Sequence, residues 1–405
     1  MELYYQHPML SECSATVLDC IKCDNAFAIV LDRTVIFPES GGQLSDTGFI
    51  DESEVLRAGI VDGRILHYCD APFEIGMTVT VRLDIPARLD HTAQHTGEHI
   101  LSGLAFKLFG AHNVGFHMAK DYCTIDLDRF LDEAELIRLQ LAANAAVQAD
   151  LPITFQTVSG TEAGALPLRK LADKLSDTTE DVRIVYIDGG SIDSCTCCGT
   201  HFASTGSVGA ILITDAQKYK GGIRLFFSCH ERAIRHSIDE HRILTSLARR
   251  FSTSAAELPT AVSKLQSDLS SARQEIKSKS LLISELLACT LLSDARLVSS
   301  ALCIVKLFDS LTASDLKPLS DRLLEKSESP LVALLFCKGA GGTEYRMVCS
   351  PGVKLSMRDL CSAVNAALDG KGGGSPTFAQ GKSSRSVTSD ELVMLENYIA
   401  SVLKS

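Results

Sequence analysis

The chain has 405 residues, a length typical of two or three domains, and its 45% hydrophobic and 22% charged residues exclude a disordered or collagen-like protein. The formal net charge of −11 disfavours a general electrostatic attraction between the protein surface and nucleic acid. Any nucleic-acid binding must therefore use local basic patches. Because we find neither a signal peptide nor an apolar run long enough to span a membrane, we expect a cytoplasmic protein whose 14 cysteines are reduced.

Residues 1–86 are predicted to form a β-rich subdomain. An apolar, β-branched run covers residues 26–37, and residues 77–83 alternate between polar and apolar side chains as strands do. Between these runs lies a glycine-rich loop, residues 37–48, with the sequence FPESGGQLSDTG.

Residues 87–228 are predicted to form a mixed α/β domain. Asp90 could cap a helix that runs to Phe109, where Gly110 would end it. A second helix is predicted over residues 132–148, which are rich in alanine and leucine. Strands are predicted over residues 124–127, 153–158, 182–187, 209–214 and 223–228.

Residues 229–292 are predicted to form two helices separated by a break at Leu258-Pro259. The second helix carries an apolar stripe that alternates spacings of three and four residues from Val262 to Leu286, with Lys279 as its one polar position. An intramolecular helical hairpin and a dimeric coiled coil both satisfy this pattern, so the C-terminal half could form a homodimer.

Residues 293–405 are predicted to form a small α/β domain, which makes the whole chain α+β. Strands are predicted over 302–307, 331–337 and 345–349, and helices over 316–326, 357–368 and 390–403. Residues 370–385 are interpreted as a loop, because they combine five glycines with three basic residues and no acid.

Two short motifs predict a zinc site. His91 and His95 are four residues apart on the predicted helix, so both imidazoles project from one face, and His99 continues the same stripe. Far along the chain, Cys197 and His201 are also four apart, with a glycine between them that suits a tight turn. Two His, a Cys and a further His form the donor set that zinc prefers in tetrahedral geometry. Cys195 and Cys198 compete with Cys197 for this role.

A second motif overlaps the first. His95-Thr-Gly-Glu98-His99 matches HxxEH, the inverted zinc-protease pattern, in which Glu98 would be the general base. This alternative leaves His91, Cys197 and His201 without a function, and thiolate is not a usual ligand of such enzymes.

The motifs HTAQH, CCGTH and ESGGQLSDTG together resemble the editing domain of alanyl-tRNA synthetase and the free-standing AlaX proteins, in the long form. The resemblance implies a β-barrel-like N-terminal subdomain, and zinc bound by His91, His95, Cys197 and His201. It extends to GKGGGSPTFAQGK, which is similar to the synthetase's C-terminal tRNA-binding domain. The resemblance also implies nucleotide and ATP binding, although no adenylate-forming signature is present.

The function implied is trans-editing: hydrolysis of the aminoacyl ester on mischarged tRNA(Ala), with serine as the main substrate and glycine as a weaker one. Zinc would either activate water or only shape the site. The resemblance suggests that Gln43, Thr47 and His117 read the substrate hydroxyl in the aminoacyl pocket, with His117 in place of a glutamine of the family. The alternative for Gln43 and Thr47 is that they only shape their loop. The basic residues predicted to contact tRNA phosphates are Lys218, Lys220, Arg224, Lys371, Lys382 and Arg385. The alternative is a catalytically inactive, zinc-stabilised protein that binds tRNA or serves as a chaperone cofactor.

Overall fold

The computed structural model describes residues 1–23, 26–170, 181–339 and 341–404. It divides into two compact units, Met1–Leu247 and Ala248–Ser405. The predicted mixed α+β class is confirmed, whereas the finer division at residues 86, 228 and 292 stays a prediction. In the described part of the chain, we find no helix that is both long enough and apolar enough to cross a membrane.

A closed, antiparallel, six-stranded barrel begins the first unit, after a short helix α1 (Leu3–Gln6). Its strands pair in the order β1-β2-β5-β4-β3-β6. Alternate positions such as Val79 and Val81 point into the barrel and are almost fully buried, which confirms the period-two pattern as a strand signal. The bounds are β1 (Glu12–Lys22), β2 (Phe27–Leu31), β3 (Gly48–Ile50), β4 (Ser53–Val61), β5 (Arg64–Cys69) and β6 (Thr78–Leu83).

The long helix α2 (Ile85–Phe109) follows the barrel and begins before the predicted start at Asp90. Asp84 is the actual cap, because its carboxylate accepts the backbone N–H of Ala87 at 3.2 Å, and a proline is favoured in the first turn. Asp90 instead binds the Arg232 guanidinium at 2.7 Å. The predicted end is correct, since Gly110 adopts a left-handed conformation.

Two small sheets and the helix α3 (Glu133–Gln148) pack around α2. Asp132 caps α3 in a capping box with Glu135, as its predicted start requires. One sheet has the order β12-β13-β8-β7 and the other β11-β10-β9. The bounds are β7 (Asn113–Met118), β8 (Cys123–Leu127), β9 (Ile153–Ser159), α4 (Gly160–Gly164), β10 (Asp181–Ile187), β11 (Asp193–Thr196), β12 (Ile211–Tyr219) and β13 (Gly222–Cys229).

Two helices occur where two were predicted, α5 (His230–Arg250) and α6 (Leu258–Ser293). Pro259 lies in the first turn of α6. Backbone N–H groups in a first turn have no acceptor within the helix, so a proline there costs no hydrogen bond. Leu265, Leu269 and Ile276 of the apolar stripe are exposed on α6. The intramolecular hairpin and the homodimer therefore both stay predictions.

The second unit is built on a six-stranded sheet with the order β14-β15-β16-β17-β19-β18. Apolar clusters cover both of its faces, one shared with α6 and α7 and the other with α8 and α9. The bounds are β14 (Arg296–Val298), β15 (Ala301–Phe308), α7 (Ala313–Lys326), β16 (Leu331–Gly339), β17 (Gly342–Cys349), α8 (Met357–Leu368), β18 (Gly370–Gly374), β19 (Phe378–Ser383) and α9 (Ser389–Lys404).

The loop prediction for residues 370–385 was wrong, because this segment forms the hairpin of β18 and β19. Its glycines permit backbone approach that a side chain would block. A Cβ atom on Gly372 would lie 2.4 Å from the carbonyl oxygen of Gln380 on the partner strand. Glycine at this position therefore allows the two strands to pair closely and does not indicate a flexible loop.

Candidate metal centre

Four side chains of the first unit bring nitrogen and sulphur atoms together: His95, His99, Cys197 and His201. Their ligand atoms all lie within 4.8 Å of one another. The Cys197 Sγ atom is 3.3 Å from Nε2 of His95 and 3.3 Å from Nε2 of His201. Three imidazoles and one thiol are a donor set suited to tetrahedral zinc, so these residues could hold a metal ion.

The two sequence segments meet because α2 runs through the buried core and the loop after β11 packs across it. His95 and His99 are one turn apart on α2, in a stretch where every residue from Thr92 to Ala105 is buried. Gly199 lies so close to His95 that a Cβ atom would be 2.0 Å from the imidazole. The close approach of the Cys197 loop to the helix therefore requires glycine at this position.

Each histidine of the cluster has a partner for its other ring nitrogen. Nδ1 of His95 donates to Gln43 Oε1 at 2.7 Å, and Nδ1 of His99 donates to Asp193 Oδ2 at 2.8 Å. Nδ1 of His201 contacts the Thr96 hydroxyl at 3.4 Å. These contacts fix the ring orientations, and Nε2 of His95 and of His201 faces the Cys197 thiol, which is the arrangement that metal-binding histidines usually show.

His91 does not belong to this cluster, and His99 occupies the place predicted for it. His91 Nδ1 is buried without a hydrogen bond and lies 3.9 Å from Asp46 Oδ1. Both oxygens of Asp46 already bind the fully buried guanidinium of Arg88. Three of the four predicted ligands are thus brought together, and the ligand set with His99 is our revised proposal.

The electrostatics of the cluster favour a thiolate. Burial alone raises the pKa of the Cys197 thiol, but the neighbouring imidazoles of His95, His99 and His201 outweigh burial and hold that pKa well below its ordinary value. Burial lowers the pKa of His201 to about 3, so its ring is neutral at pH 7. A thiolate beside a neutral imidazole is the protonation state in which both can bind a metal. Burial lowers the pKa of His99, but nearby thiols and carboxylates outweigh burial and raise that pKa well above its ordinary value, so His99 must release a proton when a metal binds.

Asp193 and Cys195 flank the cluster; sequence reasoning missed Asp193 and named Cys195 only as a competitor of Cys197. Both side chains are buried, and Asp193 binds the Arg169 guanidinium in addition to His99. Cys195 Sγ lies 3.4 Å from Nδ1 of His99. The signal for Asp193 was available, because residues 193 and 195 alternate along β11 and so share one face. The neighbouring residue Cys198 is exposed.

Of the three residues predicted for the aminoacyl pocket, Gln43 alone reaches the cluster. The left-handed residues Gly41 and Gly42 turn the chain so that Gln43 is fully buried against His95. Thr47 instead donates to Asp84 at 3.2 Å, at the start of α2. His117 is exposed on β7, because its neighbour Phe116 is the residue that packs against His95.

The cluster borders a cavity of about 340 Å³. Its apolar wall includes Phe116 and Val182, and its basic side chains are Arg169, Lys170 and Arg183. The Arg183 guanidinium lies 4.1 Å from the ring centre of Phe155 and donates to two carbonyls of the Cys197 loop. The Arg183 guanidinium could bind an anionic group of a ligand.

None of the six predicted tRNA-binding residues, all of which the structure describes, lines this cavity. Lys218 and Lys220 are exposed at the turn of β12 and β13, whereas Arg224 is paired with Asp126 at 2.6 Å. In the second unit, Lys371 and Lys382 face each other across the β18–β19 hairpin. Arg385 forms an ion pair with Glu391.

The sequence of this chain is similar to sequences of known proteins. A family profile described as the threonyl and alanyl tRNA synthetase second additional domain matches residues 182–226, which include Cys197 and His201. Across 94% of this chain and 94% of its own length, the alanyl-tRNA editing protein AlaX-L of Pyrococcus horikoshii is 29% identical. The resemblance to the AlaX family is confirmed.

Two further relatives agree with the AlaX resemblance. The alanyl-tRNA editing protein Aarsd1 of Danio rerio is 31% identical over 59% of this chain and 58% of its own length. The alanine–tRNA ligase of Pyrococcus abyssi is 29% identical over 94% of this chain, which spans only 41% of that ligase. Nucleotide and ATP binding, which only family resemblance implied, have no support in these findings.

Proposed function

We propose that this AlaX-like chain is a trans-editing hydrolase that deacylates mischarged tRNA(Ala), chiefly Ser-tRNA(Ala), with zinc at the centre formed by His95, His99, Cys197 and His201. The observation that carries the proposal is this cluster of oriented nitrogen and sulphur ligands at the edge of a cavity. Relatives named as alanyl-tRNA editing proteins support the substrate class.

Residues near the proposed metal centre have different roles in this function. Gln43 is a positioning residue rather than a reader of the substrate hydroxyl, because His95 and the backbone N–H of Thr200 occupy its carbonyl oxygen. Arg183 at the cavity wall suits a phosphate or ribose near the tRNA terminus. When bound, zinc would supply Lewis-acid stabilisation of the ester oxygen only by expanding a shell that already has four protein ligands.

The second unit would hold the body of the tRNA. Lys371 and Lys382 are exposed on adjacent strands among glycines, so backbone and ammonium groups can both approach a phosphate. Arg224 and Arg385 are less suited to this task, because each already has a carboxylate partner.

We expect the protein to hydrolyse Ser-tRNA(Ala) much faster than Ala-tRNA(Ala). A site whose buried polar groups pair with the serine hydroxyl leaves them unpaired against alanine, and such sites can discriminate by about 10⁴–10⁵. Glycyl-tRNA(Ala) should be an intermediate or weak substrate. Single-turnover deacylation of the three charged tRNAs measures this directly.

Equal rates for the seryl and alanyl esters would contradict serine selectivity while leaving hydrolysis intact. The alternative of an inactive, zinc-stabilised binding protein predicts a different result. In that case the metal-loaded protein would bind all three tRNAs and release no amino acid above the uncatalysed rate.

A further inference from the structure

Glu98 is a buried carboxylate that lines the cavity beside the metal cluster. Its side chain retains only 6% of its accessible surface. The Oε1 atom accepts hydrogen bonds from the Ser102 hydroxyl and from Nδ2 of Asn113, each at 2.6 Å. The other oxygen, Oε2, lies 3.6 Å from Nε2 of His99. The protein thus holds one oxygen of the carboxylate, and the other oxygen lies beside a ring nitrogen of His99.

In the described part of the chain, the one basic residue within ion-pair distance of this group is His99, which is a proposed metal ligand and cannot remain a protonated partner of Glu98 once it binds a metal. The other buried acid of the site differs, because Asp193 binds both Arg169 and His99. A buried carboxylate without such a partner is costly unless a ligand supplies one.

We propose that Glu98 binds the α-ammonium group of the aminoacyl ester. This inference rests on the proposed function, whose substrates all carry that ammonium group next to the scissile carbonyl. A divalent metal with one thiolate ligand has a net positive charge, which repels an incoming ammonium group. The Glu98 carboxylate cancels that charge and offers Oε2 as a charge-assisted acceptor.

Two other roles for Glu98 are less well matched by the geometry. Its carboxylate is outside the group of four mutually close ligand atoms, so it is not one of the proposed metal ligands. Its contacts with Ser102 and Asn113 tie α2 to β7, but these use Oε1 alone. Neither of these two roles explains the position of Oε2, whereas recognition of a cation does.

The test uses the isosteric variant Glu98→Gln, whose carbonyl oxygen still accepts from Ser102 and Asn113. Two tRNA(Ala) esters are compared by kcat/KM: the seryl ester, and its α-hydroxy analogue in which a neutral hydroxyl replaces the ammonium group. The matched control is Asp181→Asn, which removes an exposed carboxylate at the rim of the same cavity. The metal content of every protein is measured alongside.

We expect the wild type and Asp181→Asn to prefer the seryl ester by about 10- to 100-fold, the range of a hydrogen bond to a charged group. In Glu98→Gln this preference should fall to near unity, through slower cleavage of the seryl ester, with the metal retained. Equal slowing of both esters, or loss of metal, would overturn the proposal in favour of a general-base, structural or ligand role. A wild type that cleaves neither ester would instead refute the proposed function itself.

Discussion

Replacing His99 by Gln is expected to abolish stoichiometric metal binding, whereas replacing His91 by Gln should leave the metal in place. His99 contributes one of the four converging ligand atoms, while His91 lies beside Asp46 and outside the group. Loss of an outer partner of a ligand typically costs 10–100-fold in metal affinity or activity, and we expect loss of the ligand itself to cost more.

The two variants form a matched pair, because both histidines lie on α2 and both are replaced by the same residue. Metal per protein is measured by elemental mass spectrometry, with circular dichroism to show that both variants fold. If His91→Gln lost the metal and His99→Gln kept it, the ligand set drawn from the structure would be wrong and the sequence-based set correct.

Replacing Cys197 by Ala should remove metal and deacylation together, by at least about 100-fold in rate. Its thiol sits 3.3 Å from two imidazole nitrogens, and these imidazoles with His99 lower its pKa towards the thiolate that a metal requires. Cys198 offers the control, since it is the adjacent cysteine and its side chain is exposed. Its backbone carbonyl, rather than its thiol, accepts a hydrogen bond from Tyr5.

Metal content and single-turnover deacylation are measured for both cysteine variants. Cys198→Ala should match the wild type in both quantities. A Cys198 variant without metal, beside a Cys197 variant with full occupancy, would reassign the thiolate ligand.

Local signals in the sequence were enough to predict the mixed α+β class and many of the helices and strands. The Asp132 capping box, the left-handed Gly110 and the alternating barrel strands act over a few residues, so a single chain reveals them. The start of α2 was misplaced because both Asp84 and Asp90 are good caps, and only the tertiary pairing of Asp90 with Arg232 decides between them. The β18–β19 hairpin was missed because, in the sequence alone, glycines that allow close strand pairing look the same as glycines in a loop.

The candidate site was predicted less completely. His91, His95 and His99 have equal spacings, so the pattern alone cannot select which pair faces Cys197. That choice depends on where the loop after β11 crosses α2, which is a long-range feature. Asp193 could have been found from its alternation with Cys195 on β11, whereas the orientation of Glu98 towards the cavity depends on its contacts with Ser102 and Asn113.

The most direct test of the central claim is the rate at which the full chain deacylates Ser-tRNA(Ala) before metal removal, after removal by a chelator, and after zinc is restored. We predict rapid hydrolysis, near-complete loss and recovery, in that order. Loss without recovery would call for circular dichroism to compare the fold of the two forms. A metal-free protein that keeps its fold and hydrolyses Ser-tRNA(Ala) at the original rate would contradict the account.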